Sequence, residues 1–176
     1  MMISGADSLT VTQQSKGWCL ATGNVEDGLT RAYFELRIDS GDSDDGSLGG
    51  FYIGAVREGL DHDNYRCSKY HFTSNNAWCL DMLYGGLCGN GKYSSDEQGD
   101  GTIKVGDRVG VLIDTEGEGR VLFFKNGEQF GPGFVGGVSG RLVLGVQMKN
   151  EGCQCTLLPD AEEPTEPFTK WKGYRY

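Results

Sequence analysis

The sequence predicts an all-β protein built as a sandwich of two antiparallel sheets. Its 176 residues include 29 glycines and 4 prolines, and the glycines are spread so evenly that few windows long enough for a helix lack one. Short segments with alternating or two-sided apolar residues recur between clusters of Gly, Asp, Ser and Asn. No window carries an apolar stripe with a helical period, so many short strands in two packed sheets are expected.

Seven segments have the length and apolar pattern of strands. In chain order they are RAYFELRI (31–38), FYIGAV (51–56), AWCLDM (77–82), RVGVLID (108–114), RVLFFK (120–125), RLVLGVQM (141–148) and CQCTLL (153–158). SLTVTQQ (8–14) and WCLA (18–21) are two further candidates. In the first of the seven, apolar residues alternate with Tyr33, Glu35 and Arg37, which predicts a strand buried on one face.

Residues 106–131 form the most regular part of the chain. They read as two apolar strands joined by an acidic, glycine-bearing loop, with Asn126-Gly127 behind the second strand. An Asn-Gly pair supplies the positive φ angles of a tight reversal. Both faces of 120–125 are apolar, so this strand is expected at the centre of a sheet with a cover on each face. It is predicted to lie beside 108–114.

The chain is long enough for one domain. We expect an N-terminal lead-in over 1–16, the sandwich over 17–158 and a C-terminal tail over 159–176. The tail has 3 prolines and 4 carboxylates followed by aromatic and basic residues, and its proline spacing excludes a continuous helix or a central strand. Phe168 or Trp171 could pack back onto the sandwich.

Charge and apolar content limit the partners and the location. The formal net charge is −9 at pH 7, whereas nucleic acids and anionic membranes are bound through neutralisation by Lys and Arg. The N-terminus has no basic start before an apolar run, and no stretch approaches the ~20 apolar residues of a membrane span. We therefore expect no nucleic-acid or membrane partner, and an intracellular location, cytoplasmic or nuclear.

The cysteines indicate a reducing compartment. There are 6 of them, namely Cys19, Cys67, Cys79, Cys88, Cys153 and Cys155. A disulfide scaffold is normally shorter and denser in cysteine. Free, mostly buried thiols are therefore expected.

Two regions contain residues of metal-binding type, but their spacing does not fit. In DSGDSDDGSLGG (39–50), a calcium loop centred on Gly46 would need a glutamate where Tyr52 stands. The zinc-type side chains are His62, Cys67, His71 and Cys79. Their intervals match no paired spacing of structural zinc sites, and neither histidine has an adjacent nucleophile motif. We expect no metal, no cofactor and no catalytic residue, so the protein is not expected to be an enzyme.

The order of the motifs resembles that of the SPRY domain family. RAYFELRI, FYIGAVR, AWCLD, VGDRVGVLIDTEGEGRVLFFKNGEQFG and FVGGVSGRLVLGVQM follow one another in the family's order. The fourth block is similar to the family's core signature: Gly-Asp-x-x-Gly-Val, a short loop, a strand ending Phe-x-x-Asn-Gly, and a Phe a few residues on, here Phe134. The likeness covers about residues 17–158. Within it, Gly110 is expected to allow a close backbone approach.

The resemblance implies a bent, concanavalin-like jelly-roll sandwich without a catalytic centre. Members of the family are recognition modules that bind short peptide segments or folded partners through variable loops at one end of the sandwich. They occur in ubiquitin-ligase adaptors, chromatin-complex subunits and other scaffolds. A protein or peptide partner is therefore expected, with this domain as an adaptor or scaffold.

The resemblance also implies binding residues. In the subgroup joined to SOCS boxes, a tyrosine in the loop after the IGVA-like strand contacts the peptide, and the matching loop here, 57–72, offers Tyr65. The subgroup also uses a tryptophan in the loop just before its last strand. This sequence has KNEG (149–152) there, which places Lys149 or Asn150 near that position. The expected partner-binding set is Arg57, His62, Asn64, Tyr65, Lys149 and Asn150, on one shallow surface.

Alternatives remain at this stage. The alternative for Tyr65 is an ordinary loop aromatic without a binding role, whereas Trp18 and Trp78 are expected in the core. A carbohydrate-binding lectin also uses a sandwich with aromatic and Asp- or Asn-bearing loops. An enzyme would need an acid–base pair with perturbed pKa values in a deep pocket.

Overall fold

The computed structural model describes most of the chain, and the described part is built from β-strands. The described residues are 2–4, 9–23, 29–60, 76–89, 92–93, 102–166 and 168. The strands in them are β1 (Met2–Ser4), β2 (Thr10–Thr12), β3 (Cys19–Thr22), β4 (Arg31–Ser40), β5 (Phe51–Arg57), β6 (Ala77–Asp81), β7 (Leu87–Gly89), β8 (Lys92–Tyr93), β9 (Arg108–Asp114), β10 (Arg120–Lys125), β11 (Glu128–Gln129), β12 (Phe134–Val135), β13 (Leu142–Met148) and β14 (Gln154–Leu158). Within these ranges no helix is long and apolar enough to cross a membrane.

The strands form two antiparallel sheets, as predicted. Sheet A has the order β1-β2-β14-β4-β9-β10-β11, and β12 also pairs with β10. Sheet B has the order β3-β13-β5-β6-β7-β8. The pairing of β9 with β10 confirms the predicted adjacency of 108–114 and 120–125, with Leu112 opposite Leu122. The short strands β1, β7, β8, β11 and β12 were not expected, because two or three residues carry no readable period.

The main core lies between the sheets. Sheet B contributes Phe51 and Trp78, and sheet A contributes Phe123 and Phe134, each at most 1% exposed. The Phe123 and Phe134 rings meet edge to face with centroids 6.3 Å apart. Burial of each such side chain contributes about 1.5–3 kcal/mol. The expected core position of Trp78 is confirmed.

A second apolar cluster lies on the outer face of sheet A. Leu112, Leu122 and Phe124 are buried there, and Tyr33 and Phe168 pack against them. The Phe168 ring lies 5.1 Å from the Phe124 ring, so the tail packs back onto the sandwich through this residue. Trp171, the other candidate, lies outside the described residues. The cover expected on both faces of β10 is therefore present.

One residue expected on the polar face of β4 is buried in the structure. Glu35 was expected on the polar face of its strand, but it is buried. Its carboxylate accepts hydrogen bonds from Arg108 Nη1 at 3.3 Å and from the Tyr33 hydroxyl at 3.5 Å. Burial, with the nearby Glu35 charge, raises the pKa of Tyr33. The outer face of β4 is therefore half-covered and not simply solvated.

A close approach explains the glycine in the middle of β9. Gly110 lies opposite Glu35 on β4 and Phe124 on β10. A Cβ at Gly110 would lie 2.2 Å from the Tyr33 hydroxyl. The Tyr33 ring therefore occupies the space that any side chain at this position would need, so the close approach at Gly110 is made by a side chain and not by the backbone that was expected.

Candidate functional site

The expected binding residues fall at the ends of sheet B. Arg57 is the last residue of β5, and Lys149 and Asn150 directly follow β13. His62, Asn64 and Tyr65 lie outside the described residues.

The structure does not bring Arg57 and Lys149 together. In the antiparallel pair β5·β13, Arg57 lies opposite Leu142, and Phe51 lies opposite Met148, the residue before Lys149. The two cations are thus separated by the length of the strand pair, roughly 20 Å at about 3.3 Å per residue. The expectation of a single surface that joins Arg57 to Lys149 is corrected on this point, because antiparallel pairing sends the end of β5 away from the end of β13.

Arg57 anchors the base of the loop that follows β5. Its backbone N–H donates to Asn76 O at 2.8 Å, which ties the start of the loop to its end. Its Nη1 donates to Ser139 O at 2.9 Å, and its guanidinium lies 5.3 Å from the centroid of the Trp78 ring. The guanidinium is therefore oriented by protein contacts at one end of sheet B.

At the opposite end, three side chains form what we call the Trp18 surface: Trp18, Tyr52 and Lys149. The centroids of the Trp18 and Tyr52 rings lie 5.9 Å apart, and Lys149 Nζ lies 5.9 Å from the centroid of the Trp18 ring. Both rings are partly exposed and Lys149 is exposed. Asn150 supports the turn, since its Nδ2 donates to Gly49 O at 2.8 Å.

The sequence prediction missed this surface. Trp18 was expected in the core, but it is partly exposed because it directly precedes β3, which in the described part is an edge strand of sheet B. Tyr52 lies on the outer face of β5, between the core residues Phe51 and Ile53. The strict alternation in FYI was the available signal for an outward tyrosine.

A buried amide lies beside the Trp18 surface. Gln147 on β13 pairs with Leu20 on β3 and with Tyr52 on β5, and it is 1% exposed. Neither Oε1 nor Nε2 of Gln147 has a hydrogen-bond partner. A glutamine within the apolar strand LVLGVQM was the available sequence signal.

The acidic loop 39–50 uses its carboxylates in its own turns. Asp42 Oδ1 accepts the Asp44 N–H, and Asp45 Oδ1 accepts the Ser47 N–H, each at 2.8 Å. Asp44 pairs with Lys16 at 2.8 Å. Across the described ranges, no group of three or more His, Cys, Asp or Glu side chains is arranged to hold a metal ion. The Trp18 surface and its turn present two aromatic rings, the Lys149 ammonium group and the Asn150 amide.

Comparisons with known proteins agree with the observed fold. The SPRY domain of human HERC1 matches with a TM-score of 0.69 at 17% identity, covering 92% of this chain and 94% of that chain. A human SPRY domain matches with a TM-score of 0.63 at 19% identity, covering 91% and 96%. The TRIM65 PSpry domain matches with a TM-score of 0.55 at 13% identity, covering 89% and 84%. At such identities these structures show a shared fold alone, and no curated protein matches the chain.

The family assignment rests on a different comparison. The SPRY domain family model matches residues 31–160, from the start of β4 to just beyond β14. This range is well over half of the chain, and it contains the Gly-Asp and Asn-Gly elements of the signature. The chain therefore belongs to the SPRY domain family, whose members are generally non-catalytic protein–protein interaction modules.

Proposed function

We propose that this domain binds a peptide segment or a folded partner through loops and turns at the ends of sheet B. It would act as an adaptor or scaffold subunit of a larger complex, such as a ubiquitin ligase. The observation that carries the proposal is the Trp18 surface, where the partly exposed Tyr52 lies on β5 and the partly exposed Trp18 and the exposed Lys149 lie directly beside β3 and β13. Rigid aromatic side chains are the residues that most often dominate binding energy at protein interfaces.

The loop after β5 would supply the second part of the contact. Tyr65 would be its anchor, because a tyrosine offers a large contact area with few rotatable bonds and a hydroxyl that can bond a peptide backbone. His62 and Asn64 would add polar contacts. Arg57, held at the base of the loop, would favour acidic or amide-rich segments.

The separation of the two ends bears on the ligand. Arg57 and Lys149 lie roughly 20 Å apart along the strands. Their side chains also lie on opposite faces of the sheet, since Arg57 packs on Trp78 of the main core and Lys149 packs on Trp18 beside the outward Tyr52. The two cations would therefore select separate acidic or amide groups of the partner, while Asn150 keeps the turn that carries Lys149 in place.

We also propose that the protein acts inside the cell, in the cytoplasm or nucleus. Cys79 and Cys88 lie directly opposite each other on β6 and β7, and both are free. In an oxidising compartment an adjacent pair of thiols is exposed to disulfide formation. Imaging of the tagged full chain would test the location, and accumulation in the secretory pathway would contradict it.

The binding test begins with a partner captured from native lysate and identified by mass spectrometry. Its affinity is then measured by calorimetry for the wild type, Tyr65→Ala and Lys149→Ala, with Thr102→Ala as the control outside both ends. We expect each of the first two variants to bind at least about fivefold more weakly, which corresponds to about 1 kcal/mol. Circular dichroism checks that every variant is folded.

The two variants separate the two parts of the proposal. If Tyr65→Ala binds as tightly as Thr102→Ala, the loop after β5 is not the contact. If Lys149→Ala also matches the control, the ends of sheet B are not the binding region, and the proposal fails while the fold remains.

A further inference from the structure

The outer face of sheet A carries a pair of arginines on either side of one carboxylate. Arg31 on β4 and Arg120 on β10 both lie opposite Asp114 on β9. Asp114 Oδ2 is 3.0 Å from Arg31 Nη1 and 3.0 Å from Arg120 Nη2. Because a single carboxylate faces two guanidinium groups, this row retains a net positive charge that attracts a further anion.

An aromatic well lies next to this row on the same face. Two residues further along each strand, on the same outer face, Tyr33, Leu112 and Leu122 lie side by side. In the row after that, Phe124 stands beside Gly110, and the Tyr33 ring meets the Phe124 ring edge to face at 5.8 Å. We call the arginine pair and this well together the two-arginine surface.

Three residues of the tail, Glu163, Glu166 and Phe168, occupy this surface. Glu166 Oε1 accepts hydrogen bonds from Arg31 Nη2 at 2.8 Å and from Arg120 Nη2 at 2.6 Å. Glu163 Oε1 accepts one from Arg31 Nε at 3.0 Å. The hydrogen bond that Glu166 accepts from Arg31, and after it the one from Arg120, hold the pKa of Glu166 below its ordinary value. Phe168 then places its ring 5.1 Å from that of Phe124.

The described part of the tail, residues 159–166 and 168, is held by side chains and not by strand pairing. Residues 159–166 belong to no strand. The Glu163 and Glu166 side chains remain 34% and 43% exposed in their ion pairs, and Phe168 is only partly buried. Exposed ion pairs of this kind are weak individually and are screened by salt. The tail is therefore seated like a bound peptide, in contacts that can exchange with water.

We propose that the two-arginine surface is a second docking site, whose ligand is an acidic segment of a partner protein with the pattern Glu-x-x-Glu-x-aromatic. The sequence 163–168 of this chain matches that pattern, and Glu163, Glu166 and Phe168 occupy the site in the absence of the partner. Charge complementarity argues for this ligand, since the protein as a whole carries a net charge of −9 and this row is a local exception. The tethered tail competes at an effective concentration of the order of millimolar, so the partner gains access when the tail leaves.

A labelled peptide of residues 159–168 (PDAEEPTEPF) is the probe. Its binding is measured by fluorescence anisotropy at low salt to the full-length wild type and to the full-length variant Glu163→Gln/Glu166→Gln/Phe168→Ala, whose own tail has lost its contacts. We expect the variant to bind the peptide at least about tenfold more tightly than the wild type, and added salt to weaken the binding. A peptide with glutamine in place of both paired glutamates is expected to lose most of the affinity.

Arginine substitutions locate the binding. Adding Arg31→Ala and Arg120→Ala to the loosened variant is expected to abolish peptide binding. Arg37→Ala is the matched control, because Arg37 lies on the same face of β4 as Arg31. In the described part of the chain, Arg37 forms an ion pair only with Asp39. Equal loss with Arg37→Ala would indicate unspecific charge attraction and would overturn the proposal.

Other outcomes also decide the matter. If the loosened variant is folded and does not bind the peptide, the tail is a structural cap and the proposal is wrong. Should that variant fail to fold, the single variant Phe168→Ala replaces it. If Phe168→Ala then binds the peptide no more tightly than the wild type, the proposal is overturned. If the wild type forms a dimer and Glu166→Gln abolishes it, the surface binds the tail of a second copy of this chain. That outcome would overturn the proposal of a partner protein as the ligand. Tyr65→Ala leaves peptide binding unchanged in every case, so this test is independent of the proposed site on sheet B.

Discussion

The Asn126 side chain is hydrogen-bonded to Asp107, 19 residues earlier in the chain. Its Nδ2 donates to Asp107 Oδ1 at 2.9 Å, and its Oδ1 accepts the backbone N–H of Arg108 at 2.9 Å. The turn after β10 is thereby fastened to the residues that begin β9. This contact explains why the Gly-Asp and Asn-Gly elements of the signature occur together, since the two are one structural unit.

Replacement of Asn126 by alanine is expected to destabilise the fold. Asn126 has a φ angle of 53° and Gly127 one of 87°, so alanine at 126 would lose two side-chain hydrogen bonds and keep an unfavourable backbone conformation. We expect the free energy of unfolding to fall by about 1–3 kcal/mol in urea denaturation. Asn126→Gly, which tolerates the φ angle, is expected to lose less. A loss in neither variant would show that the two hydrogen bonds do not contribute.

Acid stability is expected to depend on Asp107. Burial alone would raise the pKa of its carboxyl, but hydrogen bonds from Asn126, from the Lys104 N–H and from Lys125 hold the pKa below its ordinary value. Such a group stabilises the fold fully above its unfolded pKa of about 3.9 and loses that effect as the pH falls through the folded pKa. Between about pH 5 and about pH 2.5, the wild type should therefore lose more unfolding free energy than Asp107→Asn. The exposed Asp160→Asn is the control, and equal losses in the two variants would contradict the prediction.

Local sequence predicted the elements whose residues carry a strong pattern. The bounds of β9 and β10 match the predicted 108–114 and 120–125, because both strands are long, apolar on two faces and bounded by turn residues. Strands β8, β11 and β12 have only two residues each. They exist because a neighbouring strand is present to pair with, which no local pattern records.

The site could be predicted less well, because it depends on pairing between distant parts of the chain. Arg57 and Lys149 are separated by the register of β5 with β13, and neither segment encodes which strand it pairs with. The same holds for the row of Arg31, Asp114 and Arg120, which three strands bring together. The aromatic Phe168 was noticed from sequence, but the glutamates that dock with it were not, since acidic residues in a proline-rich tail are usually solvated.

Gly110→Ala is expected to cost about 1–3 kcal/mol of unfolding free energy. The added methyl would meet the Tyr33 ring, with its hydroxyl at 2.2 Å, and Tyr33 is held by Phe124. The double variant Gly110→Ala/Tyr33→Ala removes the clash, so the two effects should not add in a double-mutant cycle. Gly23→Ala is the control, because a Cβ there meets only ordinary contact at 3.5 Å. Additive effects of the two substitutions would contradict the assigned clash.

The thiols are expected to be free and slow to react in the folded protein. Cys79, Cys88, Cys153 and Cys155 are buried, and burial raises the pKa of each thiol, to about 11 for Cys153. Since the thiolate is the reactive form, these four should react slowly with a disulfide reagent at about pH 8 in the native state. In denaturant without reductant all 6 cysteines of the chain should react. A lower number would reveal a disulfide.

Gln147→Met is expected to stabilise the protein. The Gln147 amide is 1% exposed and neither of its polar atoms has a partner, and a buried unsatisfied polar group costs about 1–3 kcal/mol. Methionine has a similar shape without the amide, so we expect a gain of about 1 kcal/mol in urea denaturation. Gln154→Met is the matched control on β14, where the Nε2 of Gln154 donates to Thr12 Oγ1 at 2.9 Å, and it should lose stability. If Gln147→Met loses as much stability as Gln154→Met, the Gln147 amide is hydrogen-bonded in solution. Its description as an unpartnered buried group would then be wrong.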